Sequence, residues 1–115
     1  MLLTFQFLRL LMIDQDFLKT LTILYVEDDK KVSTVFCEIL DKLFLKVILV
    51  ENGLEALDIF KESKKADETI DTIISNIKLP RLNGLDLLEV IRKYDETIPF
   101  LYTTGKYESY DMLIY

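Results

Sequence analysis

Histidine is absent from this chain of 115 residues, and cysteine occurs once, at Cys37. No disulfide, no cysteine and histidine zinc site and no histidine-based catalytic pair can be assembled within one copy. A lone cysteine suits a reducing compartment, and the cytoplasm is the expected location. Positive charge is also scarce: 14 Lys and Arg against 20 Asp and Glu leave a formal net charge of −6. Such a balance opposes direct binding to nucleic acid or to an anionic membrane surface. The length fits one domain, and 50% hydrophobic residues suffice for a buried core.

A long unbroken hydrophobic run is lacking as well. The opening "MLLTFQFLRLLMIDQDFLKTL" comes nearest, but Gln6 and Arg9 interrupt it and it stops near Ile13. No basic region precedes it and no small-residue cleavage site comes after it, so it reads as neither membrane anchor nor signal peptide. Phe5, Leu8 and Met12, then Phe17, Leu18 and Leu21, fall roughly at helical intervals. Residues 1–20 are therefore expected to form an apolar helical extension, with Met12 as an alternative start, ahead of a domain over 21–115.

Beyond Leu21 the chain alternates between two periods. Short apolar runs stand at 22–26 ("TILYV"), 46–50 ("KVILV"), 71–75 ("DTIIS") and 99–103 ("PFLYT"). Strands apolar on both faces belong in a parallel sheet covered on each side by helices. Between the first two runs, Val32, Val35, Phe36, Ile39, Leu40 and Leu43 mark an amphipathic helix, with Cys37 packing at its flank. Asn52 is placed to cap a helix carrying Leu54, Leu57 and Phe60. A third helix carries Leu85, Leu88 and Ile91, and the closing "KYESYDMLIY" reads as the first turns of a fourth. The order from residue 22 is β-α-β-α-β-α-β-α, an α/β fold whose ligand chemistry belongs at the carboxyl ends of its strands.

Three acids, Glu27, Asp28 and Asp29, stand directly after the first strand. Like charges held close raise one another's cost of ionisation. Two readings satisfy them: a hard divalent cation such as Mg²⁺ with oxygen ligands, or a solvated loop in which Asp29 caps the next helix. Further along, Asn76 ends the third strand, Pro80 and Gly84 shape the loop after it, and "TTG" at 103–105 ends the fourth.

Taken together, "ILYVEDD", "ENGLEAL", "IISNIKLPRLNGLDLL" and "IPFLYTTG" make residues 21–115 resemble the receiver domain of two-component response regulators. The resemblance implies a flavodoxin-like, doubly wound parallel sheet of order 2-1-3-4. It implies Mg²⁺ held by Asp28, by Glu27 largely through water, and by the backbone carbonyl of Lys78. It makes Thr104, five residues after Pro99, the switch hydroxyl, with Thr103 the weaker candidate. A sensor histidine kinase or a downstream signalling protein is the implied partner.

Two departures stand out. The family's acceptor aspartate corresponds to Asn76, whose amide cannot attack phosphorus: its nitrogen lone pair is delocalised and its oxygen carries no full charge. The family's fifth strand, fifth helix and lysine have no counterpart in the sequence as read. Mg²⁺ binding is therefore expected to be weakened, and the chain is expected not to be phosphorylatable. Two readings stay open: a receiver locked in its unphosphorylated state, or a pseudo-receiver working through protein contacts alone. With the fourth strand left as an open edge, self-association by strand addition, and hence a homodimer, is expected. Enzyme readings fail on local chemistry. A flavin phosphate needs backbone donors after the first strand, where "EDDKK" stands, and an aspartyl phosphatase needs the nucleophile that Asn76 replaces.

Overall fold

The computed structural model describes residues 14–104 and 111–114, so the first thirteen residues of the helical extension expected over 1–20 lie outside the described residues. Described structure begins with α1 (Gln15–Leu18), a single turn whose cap, Asp14, accepts the Phe17 N–H at 2.8 Å. Then come β1 (Thr22–Val26), α2 (Lys30–Leu43), β2 (Lys46–Val50) and α3 (Gly53–Lys65). The chain continues through β3 (Thr72–Asn76), α4 (Gly84–Tyr94), β4 (Phe100–Thr104) and β5 (Asp111–Ile114). Among the described residues no helix is long and apolar enough to cross a membrane.

The sheet runs β2-β1-β3-β4-β5, and its first four strands are parallel, as the apolar runs implied. The third and fourth strands start one residue later than expected. Asp71 stays outside the ladder because its carboxylate accepts the Thr22 N–H at 2.7 Å, while Pro99 has no N–H to give.

The end of the chain corrects the sequence reading. The segment expected to open a helix contains β5, which pairs antiparallel with β4 from Thr104↔Asp111 to Leu101↔Ile114. Residues 105–110 are too few for the crossover of a dozen or more that a parallel return requires, whereas an antiparallel return needs only a short connection. A fifth strand is thus present, in reversed direction, and it covers the edge of β4 that was expected to stay open. No helix comes after β4 among the described residues.

Alternation along each strand divides the core. Leu24, Val26, Ile73, Phe100 and Tyr102 face α3 and α4, meeting Ala56, Phe60, Leu87 and Ile91. Ile23, Tyr25, Ile74 and Leu101 face the other way, toward Leu18 of α1 and Phe36 and Leu40 of α2. Some expected core positions are exposed: Val35, Leu54 and Leu85 face solvent. The buried line of α2 runs through Ser33, Phe36 and Leu40, leaving Val35 to one side, and in α4 Leu87 and Ile91 carry the packing instead of Leu85. Cys37 packs at the flank as expected, half-buried, and burial pushes its thiol up.

Candidate functional site at the carboxyl ends of the strands

Glu27 stands one residue past β1, held there by its N–H, which donates to the Val50 carbonyl at 3.0 Å. Its carboxyl group is buried, with 1% of the residue exposed. Asn76, at the end of the neighbouring β3, points its amide at the same spot: Nδ2 donates to Glu27 Oε2 at 3.1 Å, with Oε1 at 3.4 Å. The Asp29 N–H adds a third contact, 3.2 Å from Oε2. Burial raises the pKa of Glu27 above 4.5. The Asp29 and Asn76 donors pull it down, and Asp28 pushes it up again.

The three acids that the sequence leaves as one cluster therefore take three roles. Glu27 turns inward, Asp28 is exposed beside it, and Asp29 caps α2, accepting the Lys31 and Val32 N–H groups at 2.9 and 3.4 Å. For Asp29 the capping reading is the one realised.

The loop from Ile77 to Gly84 is tightly held. Gly84 N–H donates to the Ile77 carbonyl at 2.7 Å. A side chain at Gly84 would be impossible without movement, because a Cβ there would lie 2.3 Å from the Asn76 carbonyl oxygen. The Pro80 carbonyl accepts from Leu82 N–H at 2.8 Å, closing a three-residue turn around Arg81, whose φ of 70° is unusual for a side-chain-bearing residue. Pro80 and Gly84 thus shape the loop as expected. Lys78 is exposed within it.

Thr103 is fully buried opposite Asn76 in the ladder, and its Oγ1 has no hydrogen-bond partner among the described residues. Thr104 closes β4, but its side chain lies outside the described residues.

Three residues escaped the sequence reading. Asn83 caps α4, accepting the Asp86 N–H at 2.9 Å, as Asn52 caps α3 with the Glu55 N–H at 2.9 Å. Both precede a glycine, and the shared pattern in "NGLEAL" and "NGLDLL" was the available signal. Gly53 lets α3 approach the loop so closely that a Cβ would lie 1.9 Å from the Leu82 carbonyl oxygen. Tyr102 reaches from β4 to the start of α4, its hydroxyl donating to the Gly84 carbonyl at 2.8 Å. An aromatic in an apolar strand gives no hint of such a bond.

The donors at this end suit a hard cation, though weakly. Glu27 and Asp28 are adjacent acids, and a buried carboxylate with a raised pKa gains from a positive neighbour. Yet the Asn76 amide already provides Glu27 with N–H groups and brings no charge, and no three Asp, Glu, Cys or His side chains converge among the described residues.

Comparison with known proteins agrees with this geometry. The family model for the response regulator receiver domain matches residues 23–114. The transcriptional regulatory protein CpxR of Escherichia coli is 28% identical over 92 residues, covering 80% of this chain and 37% of its own length. The chain thus spans 38% or less of the length of such curated relatives, and only 16% of the transcription factor SKN7 of Candida albicans. Among solved structures, the non-phosphorylated HemR receiver domain of Leptospira biflexa is 27% identical, with a TM-score of 0.64 over 78% of this chain and 68% of that one. The receiver domain of the histidine kinase CKI1 from Arabidopsis thaliana, complexed with Mg²⁺ and BeF₃⁻, shares the fold at 20% identity. Its TM-score is 0.65 over 84% of this chain and 73% of that one.

Proposed function

The chain belongs to the receiver-domain family of response regulators, and from that premise we propose that it is a two-component signalling module that accepts no phosphoryl group at residue 76. One observation carries the reading: the position that ends β3 holds an amide, and that amide is spent on Glu27 at 3.1 Å. A carboxylate there would be a charged nucleophile, whereas an amide is neither charged nor nucleophilic. The module acts in the cytoplasm through protein contacts, with a sensor kinase or a downstream signalling protein as partner and with no chemistry of its own.

Glu27, Asp28 and the Lys78 carbonyl would hold Mg²⁺, which would neutralise the paired acids. With Asn76 contributing no charge, the affinity is lower than for the aspartate form. Thr104 stands where a switch hydroxyl would respond to phosphorylation, and without that event it has one resting state. Self-association through strand addition at β4 loses its basis, since β5 already occupies that edge.

Acetyl phosphate with Mg²⁺, followed by mass spectrometry, tests the reading. No hydroxylamine-labile phosphate is expected on the native chain, and Asn76→Asp is the matched control. Label on residue 76 of the native chain would refute it.

A further inference from the structure

Helices α3 and α4 open on the same three residues, Asn52-Gly53-Leu54 and Asn83-Gly84-Leu85. In each the asparagine Oδ1 accepts the N–H three residues on, at 2.9 Å. Asparagine followed by glycine is suited to lose its amide, because without a side chain on the next residue that residue's backbone nitrogen can reach the asparagine Cγ. The two motifs differ in one hydrogen bond. Gly84 N–H donates to the Ile77 carbonyl at 2.7 Å. Gly53 is the first residue of α3, so its N–H has no intrahelical carbonyl to bond, and no other acceptor holds it among the described residues.

We propose that Asn52 is a deamidation site of the folded chain, and that Asn83, in the same motif, is protected. Gly53 N attacks Asn52 Cγ and closes a succinimide ring, while the Cγ–Nδ2 bond breaks and ammonia leaves with the Gly53 amide proton. Water then opens the ring at either carbonyl, giving aspartate or isoaspartate and one added negative charge. The Glu55 N–H, already 2.9 Å from Asn52 Oδ1, steadies the charge that develops on that oxygen during attack. At Gly84 the same step must first break the bond to Ile77 that holds the loop after β3. Exposure alone would rank the two the other way, since Asn83 is exposed and Asn52 half-buried. The product bears on the candidate site: Gly53 lies so close to Leu82 that a Cβ would be 1.9 Å from its carbonyl oxygen. Isoaspartate at 52 adds an atom to the main chain at that contact and pushes α3 off the loop that leads from Asn76.

Ageing the native chain at mildly alkaline pH, with peptide mass spectrometry at intervals, tests this. A parallel sample in concentrated guanidinium chloride gives each motif's rate without structure. Measured against its own unfolded rate, Asn52 should be slowed about fivefold less than Asn83, the factor that one ordinary backbone hydrogen bond represents. Equal slowing, stronger slowing at Asn52, or no reaction at Asn52 in the folded chain would overturn the proposal. No variant is needed, so a folding failure cannot obscure the answer. The result is independent of whether residue 76 accepts a phosphoryl group.

Discussion

Asn76 and Glu27 face each other across the adjacent strands β3 and β1, with the amide nitrogen 3.1 Å from the carboxylate oxygen Oε2. A neutral donor thereby serves a buried acid at the point where the parallel strands deliver their side chains. Asn76→Ala would leave that acid short of a donor. The expected cost is about 1 to 3 kcal/mol, measurable as a lower urea midpoint with an unchanged slope.

Asn76→Asp reverses the electrostatics instead of removing the contact. Two carboxylates would share one spot, so this variant should be less stable than the native chain without a divalent cation and should gain more from added Mg²⁺. Thermal melts of both forms with and without Mg²⁺ check this. Equal gains would mean that residue 76 does not face the ion.

Glu27 also sets a dependence on pH. Its folded pKa is raised above 4.5, mainly by burial, so the folded state holds the proton more tightly than the unfolded state does. Its contribution is fully present below 4.5 and is lost as pH rises through the raised value. Glu27→Gln should flatten that part of the profile, as read from urea midpoints between about pH 4 and pH 8.

Asp95 works in the opposite sense at the far end of α4. Its Oδ1 accepts from the Thr97 and Ile98 N–H groups at 2.9 and 3.0 Å, and Lys64 lies 3.2 Å from Oδ2. These contacts, the Thr97 bond foremost, lower its pKa from 3.8 to about 2. The stabilisation is present above 3.8 and disappears as pH falls through about 2. Asp95→Ala should cost about 2 kcal/mol at neutral pH, with the gap from the native chain closing in acid.

The loop after β3 gives two changes of opposite sign. Gly84→Ala would drive a methyl into the Asn76 carbonyl and should destabilise by about 1 to 3 kcal/mol. Arg81→Gly relieves a left-handed backbone and should stabilise, by up to about 1 kcal/mol. Both are read from chemical denaturation.

Much of this was legible because it depends on local period and chemistry. Continuous apolar runs located the four parallel strands to within a residue, since burial on both faces of β1, β3 and β4 leaves no alternation to confuse them, although β2, at the sheet edge, exposes Lys46 and Leu49. Asn52 as a cap, and Asn76 and Glu27 at the strand ends, came from spacing and the resemblance. Direction was not legible at β5: "DMLI" is equally apolar as a helix or a strand, and only the short span after β4 decides. Nor was the division of labour among Glu27, Asp28 and Asp29, because a sequence states which acids are adjacent and not which one the strand turns inward. The Tyr102 bond to Gly84 depends on α4 arriving above β4, a tertiary fact with no local trace.

The reversal of β5 also sets the polarity of the molecule. A parallel last strand would end at the pole where Glu27 and Asn76 sit. β5 instead starts there, beside Thr104, and finishes beside Leu101, nearer the opposite pole. Anything attached after it would leave from the side remote from the acid and amide pair. An event at that pair would have to be felt through the length of the sheet, whereas a partner touching the first residues of β5 would read it directly.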